Sequence, residues 1–306
     1  MSFTAEVKDE LSRRELDCDG CRRAELSALI RIEGRLSANY RLEITTETAA
    51  VARCTVRLIH ELYQLKTEIT TRRSVLHKSY NYLIVIPPQG GLREALADLG
   101  ILSEAGIELG IAPRLVEKPC CAASYLRGAF LAGGFIADPR GDFHFELTCG
   151  HEEFADGLIE IMHDHEIPAR MVQRRNVFIV YLKGGESITD FLGLVGAYRS
   201  VLAMENVRVT KSVRNDVNRR LNAEMANMQK SIDASFTQID AIRRVITVNG
   251  LDSLPPALQE LALLRLDYPD VSLRELGELA DPPLSKSAVN HRIRRLEAIA
   301  EEIDDT

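Results

Sequence analysis

The chain has 306 residues, 45% of them apolar and 27% charged, with a formal net charge of −7. That length predicts about two domains of ~150 residues, each with a real core. No apolar run approaches the ~20 residues that cross a bilayer, and the acidic balance excludes a protein that coats nucleic acid indiscriminately, though not one with a local basic docking face.

Residues 1–15, with Glu6, Asp9, Glu10 and Glu15, read as an amphipathic helix and not as a signal peptide. Six cysteines, at 18, 21, 54, 120, 121 and 149, suit reduced thiols, because a chain this long needs no disulfide framework. Together these features predict a cytoplasmic protein.

An internal repeat follows. LSALIRIEG (26–34) aligns with LAGGFIADP (131–139) at an offset of 105, each after an amphipathic lead-in and each reading as a helix that ends in an acid. Beyond these helices, Tyr40–Thr45 matches Phe143–Thr148 as an alternating strand. Thr48–Leu65 and His151–His165 are helices, and Thr67–Thr71 and Ala169–Gln173 short strands. Tyr80–Ile86 and Asn176–Tyr181 are clearer strands, and Leu92–Leu99 and Ile188–Leu194 closing helices. Each half, about 20–100 and 119–195, is therefore roughly αβαββα, a unit that buries one sheet face under helices. The fold class expected for residues 1–197 is α+β with pseudo-two-fold symmetry.

Residues 198–250 read as a helical linker. Between Asn206 and Leu221 five cations (Arg208, Lys211, Arg214, Arg219, Arg220) stand against one acid, Asp216, and Asn206, Asn215, Asn218, Asn222 and Asn227 are interleaved. Asparagine is a poor helix former, so this density asks for a reason. Docking on the repeat domain, phosphate contact through Arg214, Arg219 and Arg220, and a merely solvated face all fit.

Residues 251–306 read as an all-α helix-turn-helix domain. Ala257–Leu266 is helical, Tyr268-Pro269-Asp270 breaks it, and Ser272 with Glu275 forms a capping box for a short helix. Gly277 lies inside that helix at a cost of about 1 kcal/mol in propensity, which a close crossing by another helix would justify. Asp281-Pro282-Pro283-Leu284 turns the chain, and Ser285 caps the last helix. There Val289, Ile293, Leu296 and Ala300 share one face, while Ser287, His291 and Arg294 point the other way with Asn290 and Arg295 at its edges. Lys286, Arg292, Arg294 and Arg295 add four positive charges with no acid between Leu284 and Leu296. A recognition helix needs this: arginine pairs with guanine, asparagine with adenine, and flanking cations meet phosphates. The alternative is a protein-interaction module with a solvated basic face.

Other groupings carry less. Cys18-x-x-Cys21 and Cys120-Cys121 precede the two motif helices and could converge, but the first pair is half a zinc site and adjacent cysteines do not readily donate to one tetrahedral ion, so no metal or cofactor is expected. His151, His163 and His165 lack a matching ligand set. Gly90-Gly91 and Gly184-Gly185 are turns, because no Lys-Ser/Thr follows them as in a phosphate loop.

The repeated helix with its terminal acid resembles the LAGLIDADG homing-endonuclease fold, in which two motif helices pack along small residues, here Ala28, Gly34, Ala132 and Gly133, above paired saddle-shaped sheets. With the helix-turn-helix behind it, the whole chain resembles the WhiA family. The resemblance rests on AELSALI (24–30), FLAG (130–133), RNDVNRR and NAEMAN (214–220, 222–227), and above all PPLSKSAVNHR (282–292). Ala223 departs from it, standing where cysteine is expected.

The resemblance implies a regulator of bacterial sporulation and cell division that binds duplex DNA, localises with the nucleoid and has lost nuclease activity. It also implies a WhiB-like iron–sulfur regulator or RNA polymerase as partner. Glu33 and Asp138 are the expected remnants of the nuclease acids. An acid at a helix C-terminus is unfavourably placed, which hints at function, but Pro139 after Asp138 and the longer Glu33 disturb a symmetric metal clamp. Two alternatives stay open: a metal-dependent endonuclease using Glu33 and Asp138, and a nucleoid or cell-division protein that binds DNA without regulating promoters.

Overall fold

The structure is a computed structural model and describes residues 2–73 and 80–304. Contacts divide the chain into two compact units, residues 1–211 and 212–306. Met1 and residues 305–306, the ends of the expected domains, lie outside the described residues.

The first unit opens with α1 (Phe3–Ser12), as the amphipathic pattern predicts; Val7 and Leu11 supply its buried stripe. The first repeat is α2 (Asp19–Glu33), β1 (Gly34–Leu36), β2 (Leu42–Thr46), α3 (Ala49–Tyr63), β3 (Glu68–Arg73), β4 (Tyr80–Ile86) and α4 (Leu92–Asp98). A small hairpin, β5 (Leu102–Ser103) and β6 (Gly106–Ile107), leads to the second repeat. That repeat is α5 (Pro119–Gly133), β7 (Gly134–Ile136), β8 (His144–Cys149), α6 (Glu152–Asp164), β9 (Arg170–Arg174), β10 (Val177–Lys183) and α7 (Gly185–Val195).

Each repeat folds one antiparallel four-stranded sheet, ordered β1-β2-β4-β3 and β7-β8-β10-β9. The strands β2 and β8 alternate as a half-buried sheet must, whereas the edge strands β3 and β9 are exposed almost throughout. Leu42, Ile44, Ile84 and Ile86 point into the core in the first sheet, and Phe145, Leu147, Val180 and Leu182 in the second. The opposite faces carry Arg35, Glu43, Val85 and Glu68 in one cross-strand row, and Phe135, Glu146, Tyr181 and Arg170 in its counterpart. The short strands β1 and β7 escaped the sequence pattern because three residues show no period.

The two repeats superpose in a different register from the one the sequence suggests. Gly34 and Gly134 both end their motif helices, donating to the carbonyls of Ile30 and Phe130, and both start a strand. A Cβ at either glycine would strike the preceding helical turn, so both places demand glycine. The offset is therefore 100, not 105. Gly133 stands opposite Glu33, and Asp138 falls five residues past its helix in the loop after β7. The sequence alignment slid because both motif helices are apolar along their whole length and offer many near-equivalent matches.

α2 and α5 pack against each other through small side chains. Ala24, Ala28 and Ala129 are fully buried, and a Cβ on Gly128 would collide with the Glu25 backbone. Closest approach is thus at Gly128, while Gly34 serves the helix-to-strand turn, and a Cβ at Gly133 would meet the Thr148 carbonyl and the Ile32 side chain. A buried ion pair crosses the same interface: the Arg127 Nε donates to the Glu25 carboxylate at 2.5 Å.

The long helix α8 (Tyr198–Asn249) begins in the first unit and ends in the second. The rest of the second unit is α9 (Pro256–Asp267), α10 (Leu273–Glu278) and α11 (Lys286–Asp304). Its core joins Ala241, Ile242 and Val245 of α8 to Leu258, Leu261, Leu276, Val289, Ile293 and Leu296. The end of α8 is therefore structural material of the C-terminal unit and not a linker preceding it, and the division falls after Lys211 instead of after residue 197.

Candidate nucleic-acid interface

In the C-terminal unit the capping box forms as its spacing demands: Ser272 Oγ accepts the Glu275 N–H at 3.3 Å and Glu275 accepts the Ser272 N–H at 2.8 Å. Two buried residues, Leu276 and Gly277, follow. A Cβ at Gly277 would run into the Leu284 carbonyl and sit 3.1 Å from Val289. The Leu284 N–H in turn donates to the Gly277 carbonyl at 2.8 Å. The close approach that justifies this glycine thus comes mainly from the returning turn, with α11 behind it.

That turn fixes the start of α11. Ser285 Oγ accepts the Ala288 N–H at 3.3 Å, and the Val289 N–H donates to the Ser285 carbonyl at 3.0 Å. Val289, Ile293, Leu296 and Ala300 are at most 1% exposed. The helix is therefore rotationally locked, and its other face is presented outward.

On that outward side Lys286, Ser287, His291, Arg294 and Arg295 are exposed, and Asn290 is half-buried at the edge. Arg292 behaves differently. It is half-buried and its Nη1 turns back to the Ala257 carbonyl at 3.4 Å, so it braces α11 against α9. Further up α8, Arg214, Arg219 and Arg220 are exposed, with Asp216 3.6 Å from Arg219. The interleaved Asn206, Asn215, Asn218, Asn222 and Asn227 are exposed as well.

Two features of this unit were missed by the sequence. Arg265 is 2% exposed, and its Nε and Nη2 donate to the Gln238 carbonyl oxygen at 3.0 and 2.8 Å while Nη1 donates to the Val271 carbonyl at 2.6 Å. Burial pulls its pKa down. This clamp ties α8 to the helix-turn-helix, and it resembled a surface arginine until its distant amide partner was known. Val213, Val217, Leu221, Met225 and Met228 form the second, an exposed apolar series at steps of three and four along α8.

The nuclease positions do not form a pair. Glu33 ends α2 with its Oε2 buried and unpartnered, and burial pushes its carboxyl up to about 8 despite the attraction of Lys8. Lys8, from α1, donates its ammonium to the Ala132 carbonyl at 3.1 Å, so a cation sits where the two motif helices end. Burial lowers the Lys8 pKa against the pull of Glu33 and Glu47. The equivalent position in the second repeat is Gly133, which has no side chain. Asp138 is exposed in its loop and accepts the Arg140 N–H at 2.9 Å. A clamp that needs one ionised carboxylate from each motif therefore has one half-buried acid whose proton is held more tightly than usual, and no partner.

The four cysteines set aside on spacing grounds converge after all. The sulfurs of Cys18, Cys21, Cys120 and Cys121 all lie within 4.8 Å of one another. Adjacent cysteines were expected not to donate readily to one ion, but both belong to the first turn of α5 and the start of α2 lies against them. Among the described residues no helix is long and apolar enough to cross a membrane.

Comparison with known proteins gives a consistent answer along the chain. Three family models match in succession: the WhiA N-terminal LAGLIDADG-like domain over residues 19–102, the WhiA LAGLIDADG-like domain over 122–214, and the WhiA C-terminal HTH domain over 217–300. A protein of Desulforudis audaxviator, named probable cell division protein WhiA, is 45% identical over 99% of this chain and 98% of its own. One of the same name from Alkaliphilus metalliredigens is 41% identical over 98% of each. Among solved structures, full-length DUF199/WhiA from Thermatoga maritima superposes with a TM-score of 0.63 at 26% identity, covering 99% of both chains.

Proposed function

The chain belongs to the WhiA family, and from that premise we propose that it is a sequence-specific DNA-binding regulator of bacterial cell division and sporulation that reads the major groove with α11. The observation that carries this reading is the outward side of α11. Lys286, Ser287, His291, Arg294 and Arg295 stand exposed along a helix whose opposite face is locked by Val289, Ile293 and Leu296. Ser287, Asn290, His291 and Arg294 are the base readers; Lys286 and Arg295 meet phosphates, joined by Arg214, Arg219 and Arg220 of α8. Arg292 supports the helix from within.

The first unit serves as a non-catalytic platform. Its open sheet faces carry Arg35, Arg72, Arg170, Arg174 and Lys183 beside Glu43, Glu68 and Glu146, a mixed surface that suits either DNA or a protein partner. The partners to test are a WhiB-like iron–sulfur regulator and RNA polymerase, and the site of action is the nucleoid in the cytoplasm.

Selection of bound duplexes from a random pool by the full-length protein tests the reading. A motif enriched by the native chain and lost in an N290A/R294A variant of native circular dichroism supports it. Enrichment of the same motif by that variant removes base reading from α11. Chromosomal occupancy centred on that motif at promoters separates a regulator from a general nucleoid protein.

A further inference from the structure

We propose that Cys18, Cys21, Cys120 and Cys121 form a tetrathiolate site for a thiophilic divalent cation, zinc in the first instance, which clasps the starts of the two motif helices α2 and α5. Zinc bound by four thiolates lies about 2.3 Å from each sulfur, so the sulfurs of a regular tetrahedron stand about 3.8 Å apart. The observed separations are 3.4 Å for Cys18–Cys21, 3.8 Å for Cys18–Cys121 and 3.9 Å for Cys21–Cys121, and all four sulfurs fall within 4.8 Å of one another. Cys18, Cys21 and Cys121 therefore already form one face of a coordination tetrahedron, and Cys120 lies within reach of its fourth corner.

The surroundings fit such a site. Cys18 is the N-cap of α2, and its sulfur accepts the Cys21 N–H at 3.4 Å, where the helix dipole favours a thiolate. Gly20 arches over the cluster: a Cβ there would stand 3.0 Å from the Cys121 sulfur and 3.5 Å from that of Cys18. Cys21 and Cys121 are buried, whereas Cys18 and Cys120 are half-exposed, which gives an ion a path in and a dry floor. None of the six cysteines is in a disulfide. Cys54 and Cys149 stand outside the cluster, and Cys54 donates to Glu25 instead.

Binding replaces the thiol protons by one ion that both repeats share, so part of the folding free energy of the helix pair becomes metal-dependent and pH-dependent. The tetrahedral all-sulfur donor set selects zinc over magnesium or calcium, which take oxygen ligands.

The test uses the full-length protein purified under reducing conditions without chelators. Elemental analysis is expected to find a single zinc per chain, and cobalt exchanged into its place should give the intense visible bands of a tetrahedral thiolate complex. C18S and C120S, at half-exposed positions, should each weaken or abolish those bands while C54S leaves them intact. Stripping the metal should lower the thermal midpoint of the native chain but not that of C18S/C120S. A native protein without bound metal whose cobalt spectrum is the pale one of hexa-aqua coordination overturns the proposal. So does a Cys18–Cys21 disulfide found after alkylation of freshly lysed cells.

Discussion

Arg127 on α5 and Glu25 on α2 meet at 2.5 Å across the motif-helix interface, with side chains 5% and 2% exposed. Neither charge is left with only its partner. Arg127 also donates to the Val195 carbonyl at 3.2 Å and to Ser124 Oγ at 2.9 Å, and Cys54 donates its thiol to Glu25 at 3.4 Å. Removing one member of such a pair strands the other in the core, at a cost of about 3–5 kcal/mol. E25Q and R127M should each lower chemical-denaturation stability by that order, whereas the E25M/R127M double replacement should recover most of the loss. Equal loss in the double and the worse single variant would mean that the pair supplies net stability and not specificity of packing.

Glu33 predicts a pH signature. Its carboxyl titrates at about 8 in the folded chain against an ordinary 4.5, so between those values the folded state holds a proton that the unfolded chain has released. Stability contributed by this group is complete below about 4.5 and is lost as pH rises through 8. The lowered Lys8 works in the opposite sense and at the alkaline side, where the folded chain binds fewer protons than the unfolded one. The difference in thermal midpoint between the native protein and E33Q should therefore shift against the native protein as pH goes from 5 to about 8. A difference that is flat across this range would show that Glu33 is an ordinary ionised acid, as a metal ligand would be. The exposed Asp138 offers the control: D138N should leave the curve unchanged.

The same geometry predicts no cleavage. Purified full-length protein incubated with supercoiled plasmid and magnesium or manganese should leave it intact. Nicking that disappears in E33Q would restore the endonuclease reading despite the missing carboxylate at Gly133.

Gly277 inverts a common rule. Alanine for glycine inside a helix normally stabilises by about 1 kcal/mol. Here the added methyl would collide with the Leu284 carbonyl, which belongs to a backbone turn that cannot swing away. G277A should destabilise the C-terminal unit and weaken DNA binding together, because displacing Leu284 moves the cap of α11. A stabilised variant with native affinity would refute the close packing of turn and helix.

What the sequence disclosed follows how local the determinant is. The Ser272–Glu275 box and the Val289–Ile293–Leu296 stripe are legible because each is written within a few residues, and helix periodicity carries them. The three longer strands of each repeat and the helices between them were legible for the same reason. The repeat register was not, since apolar likeness between residues 26–34 and 131–139 outweighed the true markers, Cys21 with Cys121 and Gly34 with Gly134. Contacts that join remote segments were hidden, as with Lys8 reaching Ala132 and Gln238 satisfying Arg265, or at most suggested, as with two cysteine pairs a hundred residues apart closing one cluster. A hydropathy pattern reports which face is buried, never against what.

The division of labour between α11 and α8 leads to a prediction with two separable readouts. Arg294, Arg219 and Arg220 are all exposed, and in the proposed reading Arg294 meets a base edge while Arg219 and Arg220 on α8 meet phosphates. A phosphate contact releases counterions and carries no sequence information, so its loss lowers affinity for every duplex alike and flattens the salt dependence by about 1 in log–log slope per contact. A base contact carries discrimination of about 1–3 kcal/mol against the wrong base pair. R219A/R220A should thus reduce the slope and leave the preferred motif unchanged. R294A should relax the motif at one position, while R292A, whose side chain braces Ala257, should lower the stability of the C-terminal unit before it alters either readout. If R219A/R220A kept the full salt slope, α8 would stand clear of the DNA, and its basic face would belong to solvent or to another protein.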